Sequence, residues 1–162
     1  MLDTPKNGRW EPQTTAGEWN DVPSAPPPAD KEAVRLRQLK DIARLFAAHE
    51  IWDPDRSRYE LRLLVQPVHR YSDPEEGIHD GAVFVFAHGT NPECLLLTEA
   101  VGGALDSAHW KYALLRSSDA EAHVEIDGNE VWTCERQGRT SGEKFKPYWA
   151  FHCPLEAATI PP

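Results

Sequence analysis

Seven histidines are many for a chain of 162 residues, and His69, His79, Asp80 and His88 fall close together in its middle. Imidazole nitrogens and a carboxylate are the donor set of a hydrolytic metal centre, in which three protein ligands leave an open position for an acidified water. These four residues are the candidate metal site, flanking the loop between two long apolar segments. Their spacing matches neither HExxH nor any other motif with geometric content, and surface or hydrogen-bonded histidines are the ordinary alternative. A second candidate is an acid–base pair drawn from His88, Glu93, Glu99 and His109. Glu99 follows the apolar run Cys94–Thr98, which can carry it into a setting where desolvation raises a carboxyl pKa and suits it to proton transfer. The alternative is that strand alternation turns Glu99 to solvent, or that it pairs with Arg62 or Lys111. Nucleophilic chemistry has less support: there is no GxSxG, and Ser107, Ser117, Ser118 and Ser141 all fall in expected loops. Neither GxGxxG nor a P-loop is present.

Two further groups suit a partner rather than a reaction. Trp10 and Trp19 each stand beside a glutamate in the Pro-rich N-terminal stretch. Exposed Trp is costly to leave wet, so they either dock on another protein or fold back onto this one. Residues 138–146 carry Arg139, Lys144 and Lys146 and are followed by Tyr148, Trp149 and Phe151. Cations beside aromatics suit an anionic ligand or the acidic strip of a partner. Lysines that keep a strand edge soluble are the competing account.

The elements that must position these residues are legible from periodicity. Residues 1–29 hold Pro5, Pro12, Pro23 and the run Pro26–Pro28, and read as a flexible or polyproline-like arm. Asp30 is a good helix N-cap with Glu32 in the first turn. Leu36, Leu39, Ile42, Ala43 and Phe46 recur at helical spacing, predicting an amphipathic helix over 30–48 that stops before Asp53-Pro54. From Tyr59 the period becomes two. Apolar runs at 59–68, 81–88, 94–101, 110–116, 122–126, 130–136 and 148–152 are separated by turn signals, among them Gly89–Pro92 and Asp127-Gly128-Asn129. Pro67 removes a ladder donor and marks an edge or the end of pairing. The expectation is an α+β, mainly β domain over 30–153. It is an antiparallel meander of six to seven strands with one N-terminal amphipathic helix packed on it, and 154–162 form a tail.

The net charge of −9 is uneven: −2 over residues 1–29, +2 over 30–49 and −9 over 50–162. A negative body disfavours nucleic acid, whose binding rests on neutralising phosphates, and disfavours anionic lipid. No run approaches the roughly 18 apolar residues of a membrane helix. With no signal-peptide pattern after Met1 the expected compartment is the cytoplasm, or outside it if a leader has been removed. Cys94, Cys134 and Cys153 show no CxxC or zinc-ribbon spacing and are expected to be buried, unpaired thiols. No cofactor is called for.

The blocks YELRLLVQPVHRY (59–71), DGAVFVFAHGTNPECLLLTEA (80–100), WKYAL (110–114) and EVW (130–132) resemble an uncharacterised conserved family of bacterial proteins of the kind seen in planctomycete genomes. The resemblance spans about two thirds of the chain. It implies a self-contained unit with a variable N-terminal attachment, and it carries no catalytic residue; some relatives look exported. Exposed sheet edges, aromatics and the arm together favour a non-enzymatic interaction module, self-associating through the arm or binding a protein partner or small ligand, possibly within a larger assembly. The alternative is a small metal- or His/Asp-dependent hydrolase centred on His79–His88.

Overall fold

A computed structural model describes residues 17–52 and 55–136. The element order is β1 (Asn20–Asp21), α1 (Glu32–Ala43), β2 (Phe46–Ile51), β3 (Arg58–Glu60), β4 (Arg62–Asp73), β5 (Ile78–His88), β6 (Asn91–Val101), β7 (His109–Arg116), β8 (Glu121–Ile126) and β9 (Asn129–Cys134). The expected mainly β architecture with one helix is present, but its strands form two antiparallel sheets rather than one meander. The larger has the order β1-β7-β6-β5-β4, the smaller β3-β2-β8-β9.

Turn chemistry sets the hairpins. Asp127 and Gly128 both have positive φ, 50° and 76°, which is the backbone of a two-residue type I′ turn joining β8 to β9. Gly89, at φ 59°, opens the tight turn between β5 and β6. On β4 the pairing with β5 jumps from Leu64↔Val85 to His69↔Val83, so residues 65–68 bulge out around Pro67. Val65 and Val68 are exposed there. The strand lies at the sheet's edge, where a missing N–H is tolerated. The segment expected to run unbroken from Tyr59 is divided at Leu61, where the chain passes from the smaller sheet to the larger.

The helix is shorter than its apolar stripe predicts. It starts at Glu32 with Lys31 as N-cap, not at Asp30, and ends at Ala43. Leu39, Ile42 and Ala43 bury the stripe, whereas Phe46 already belongs to β2. The reason is tertiary: β2 pairs with β8 along its full length, Phe46↔Ile126 to Ile51↔Glu121. That pairing competes with helix over the same residues and wins.

Both sheets and the helix share one core. Ala82, Phe84 and Phe86 of β5, Leu96 of β6 and Tyr112 and Leu114 of β7 meet Phe46, Ala48, Val124 and Ile126 of the smaller sheet. The Phe46 and Tyr112 rings meet edge to face at 4.9 Å across the two sheets. Within the stretch read as an arm, Asn20–Asp21 pairs with β7 and Val22 enters the core. Among the described residues no helix is long and apolar enough to cross a membrane.

Candidate functional site

The structure separates the four candidate metal ligands, and among the described residues no group of three or more His, Cys, Asp or Glu is arranged to hold a metal ion. His69 stacks on Tyr71, with ring centroids 5.8 Å apart. The Nε2 of His79 lies 2.9 Å from the carbonyl oxygen of Gly102. Asp80 and His88 are the residues of β5 that point toward the interior at its two ends, and each has a different partner there.

Asp80 is a structural anion. Its Oδ2 accepts from Arg35 Nε at 2.8 Å and Arg70 Nη2 at 2.6 Å, and its Oδ1 from Arg70 Nε at 2.9 Å. Arg35 also donates to the carbonyls of Ala29 and Asp30, and Arg70 to Glu32. The network ties α1 to β4 and β5 beside a cleft of about 340 Å³ lined by these residues with Tyr71, Ser72 and His79. With both guanidiniums and both carboxylates in mutual contact, the cleft offers no charge left over for a ligand.

Glu99 is buried as its apolar context suggests, but its partner is neither solvent nor a cation. The Tyr71 hydroxyl donates to its Oε1 at 2.7 Å. Tyr71 on β4 and Glu99 on β6 both pair with Gly81 of β5, so the ring lies across β5 to reach the carboxylate. Only glycine permits this: a Cβ at residue 81 would stand 2.6 Å from Tyr71 Cε2. Burial first, then the Glu99 bond and charge, push the Tyr71 phenol far above its ordinary range, so it remains a donor.

At the other end of β5 lies the arrangement that periodicity could not show. Glu50 of β2 is fully buried, and its Oε1 lies 2.5 Å from His88 Nδ1. Its Oε2 is buried and receives no N–H or hydroxyl donor, and the carboxyl of Glu93 is within hydrogen-bonding reach of Glu50. Glu93 joins them through a bulge. The β5–β6 ladder runs from Phe86↔Cys94 directly to Ala87↔Pro92, so Glu93 has no ladder partner and its side chain is re-aimed. Its backbone is held separately, the carbonyl accepting from Ser117 N at 2.9 Å. Burial pushes the Glu93 carboxyl upward and adjacent Glu50 pushes the same way, while Ser118 and His88 pull it back. His88 itself is partly open to solvent, with 39 % of its side chain exposed. The ring of Tyr59 stacks on it at 4.8 Å and that of Trp52 meets it edge-on at 6.1 Å. Both aromatics are exposed.

Two of the acid–base candidates, His88 and Glu93, therefore do meet, whereas His109 contacts exposed Asp21 at 3.4 Å. Glu50, Trp52 and Tyr59 carried no local signal, because the first two fall between the expected helix over 30–48 and the first expected strand, and the third lies in a regular strand. On the outer face of the smaller sheet, His49 stacks on His123 at 4.7 Å. Burial, Arg58 and His123 hold the His49 imidazole below its ordinary value. Cys94 and Cys134 are free. Trp19 is exposed next to β1. Trp10, Arg139, Lys144, Lys146 and Cys153 lie outside the described residues.

Fold and site define a two-sheet antiparallel domain in which a partly exposed histidine is backed by buried carboxyls. Comparison of the chain with protein-family models, with curated proteins and with solved structures gives no match in any of the three.

Proposed function

We propose that the domain is a non-enzymatic binding module, and that its binding site is the mouth where Trp52 and Tyr59 flank His88 over Glu50 and Glu93. One observation carries this reading: a fully buried carboxylate, met only by the partly exposed His88 and the carboxyl of Glu93, lies behind a histidine that two exposed aromatics flank. A buried polar atom short of donors costs about 1–3 kcal/mol, and such groups concentrate where a protein does something other than fold. Trp and Tyr, with large rigid faces, are the side chains that anchor bound partners. The partner contacts expected of the arm with Trp10 and Trp19, and of Arg139, Lys144 and Lys146, belong to the same proposal.

The test is a fragment survey of the full chain by NMR, covering cationic, anionic and neutral planar compounds. The expected outcome is that binding fragments shift the resonances of Trp52, Tyr59 and His88 together. Fragments that cluster instead in the Arg35–Arg70 cleft, or find no site, overturn the reading.

A second reading is supported by the Glu50–His88 contact. A carboxylate on Nδ1 fixes the tautomer and leaves Nε2 as a proton acceptor, which is how a general base is oriented. On that reading the domain is a small hydrolase that activates water at His88, without His69, His79 or Asp80. Turnover of chromogenic esters that is abolished in both His88→Ala and Glu50→Gln supports it; turnover retained in either variant ends it.

A further inference from the structure

We propose that the ligand of this mouth carries an organic cation, an alkylammonium or guanidinium group. This rests on the reading of the mouth as a binding site and adds the chemistry of what it takes.

The polarity of every wall points one way. The Glu50 carboxylate on Nδ1 makes that nitrogen a donor toward the interior, so the neutral form of the partly exposed ring has Nε2 as its acceptor. A ligand that satisfies it must bring an N–H or O–H. Trp52 stands nearly perpendicular to the His88 ring, at 88°, and Tyr59 nearly parallel, at 25°. The two exposed rings therefore stand at a steep angle to each other around His88, and aromatic faces are negative where edges are positive. Behind His88 lie Glu50 and Glu93, and Glu50 Oε2 receives no N–H or hydroxyl donor.

The guanidiniums around the mouth are engaged elsewhere. Arg116 donates to the carbonyls of Ser118, Ala120 and Glu135, and Arg62 to that of Gly89. Arg56 contacts Glu121, and Arg58 contacts Glu60. An anion would approach the buried Glu50 carboxylate. A neutral planar molecule could stack, but nothing in it would answer that charge. A cation with N–H donors uses the acceptor nitrogen, the ring faces and the carboxylate field at once, and a chain of net charge −9 attracts it from a distance.

The test titrates the full chain with methylguanidinium, N-methylurea (its neutral counterpart in shape) and acetate, following the Trp52 indole and Tyr59 ring resonances. Methylguanidinium is expected to bind saturably, and the other two at least about tenfold more weakly. Glu50→Gln should weaken methylguanidinium about tenfold. Because that buried substitution can impair folding, the surface variants Trp52→Leu and Tyr59→Leu serve as independent checks, each weakening binding several-fold. An arginine-containing tripeptide that binds more tightly than methylguanidinium identifies a protein side chain as the source, whereas weaker binding identifies a small free cation. If methylurea binds as well as methylguanidinium, or Glu50→Gln and both surface variants bind unchanged, the cation assignment falls. Neutral probes that bind at the mouth where cations do not would overturn the assignment but keep the site. No probe shifting Trp52 or Tyr59 overturns both.

Discussion

Replacing Asp80 by alanine tests whether this carboxylate is a structural tie or part of a reactive centre. It accepts three hydrogen bonds of 2.6–2.9 Å from two guanidiniums and is 3 % exposed. Its loss affects the two arginines unequally. Arg70 is a quarter exposed and keeps Glu32 at 2.9 Å, so it rehydrates at small cost. The side chain of Arg35 is only 11 % exposed and retains carbonyl partners but no carboxylate. Breaking one partner of a buried pair costs about 3–5 kcal/mol, and the surviving carbonyl bonds place Asp80→Ala near the lower end. With a urea m-value of roughly 2 kcal/mol/M, a loss of ~3 kcal/mol lowers the unfolding midpoint by about 1.5 M. Adding Arg35→Met removes the stranded charge, so the double variant should recover at least about 1 kcal/mol relative to additivity. A midpoint shift below about 0.3 M in Asp80→Ala, or strict additivity in the double variant, would refute the clamp. It would return Asp80 to the functional role that its neighbours His79 and His88 suggest in the sequence.

Three further outcomes are expected. The folded-state pKa of Glu93 lies above its ordinary value of 4.5, so its contribution to stability is complete below that pH and is lost as pH rises through the higher folded value. Glu93→Gln removes this dependence, and its urea midpoint should gain on that of the wild type from about pH 4.5 toward neutrality; a gap that does not change with pH contradicts the account. Gly81→Ala should drive the Tyr71 ring off β5 and Tyr71→Phe should remove its hydroxyl, each leaving buried Glu99 without its donor at a cost of about 1–3 kcal/mol. Thermal or urea unfolding in which Gly81→Ala matches the wild type would show that the crossing is not needed. Cys94 is fully buried, and desolvation pushes its thiol far above the usual range. In a Cys134→Ser/Cys153→Ser background it should react with thiol reagents only as fast as the protein unfolds, and rapid labelling in the native state would place it nearer the surface.

The features legible in the linear chain are those that depend on neighbours a few residues apart. The unbroken apolar run of β5, the alternation along β8, the Asp127-Gly128 turn and the pairing break at Pro67 all follow from side-chain pattern and allowed backbone angles. The buried stripe of α1 over Leu39, Ile42 and Ala43 does so too. Tertiary structure decided where the helix stops, because Phe46–Ile51 finds β8 as a partner 70 to 80 residues away. It decided that the strands divide into two sheets, and that Glu99 meets a tyrosine across a glycine. It also decided the site. Glu50 and His88 are 38 residues apart, on strands of different sheets, and Glu93 reaches them only because a bulge shifts its side chain out of alternation. Clustering in the sequence brought His69, His79, Asp80 and His88 to notice, but neighbours along a strand point to opposite faces, and residues at its two ends lie far apart. Spacing can report the period of an element; which distant elements meet is set by packing the shared core, and the site forms where they do.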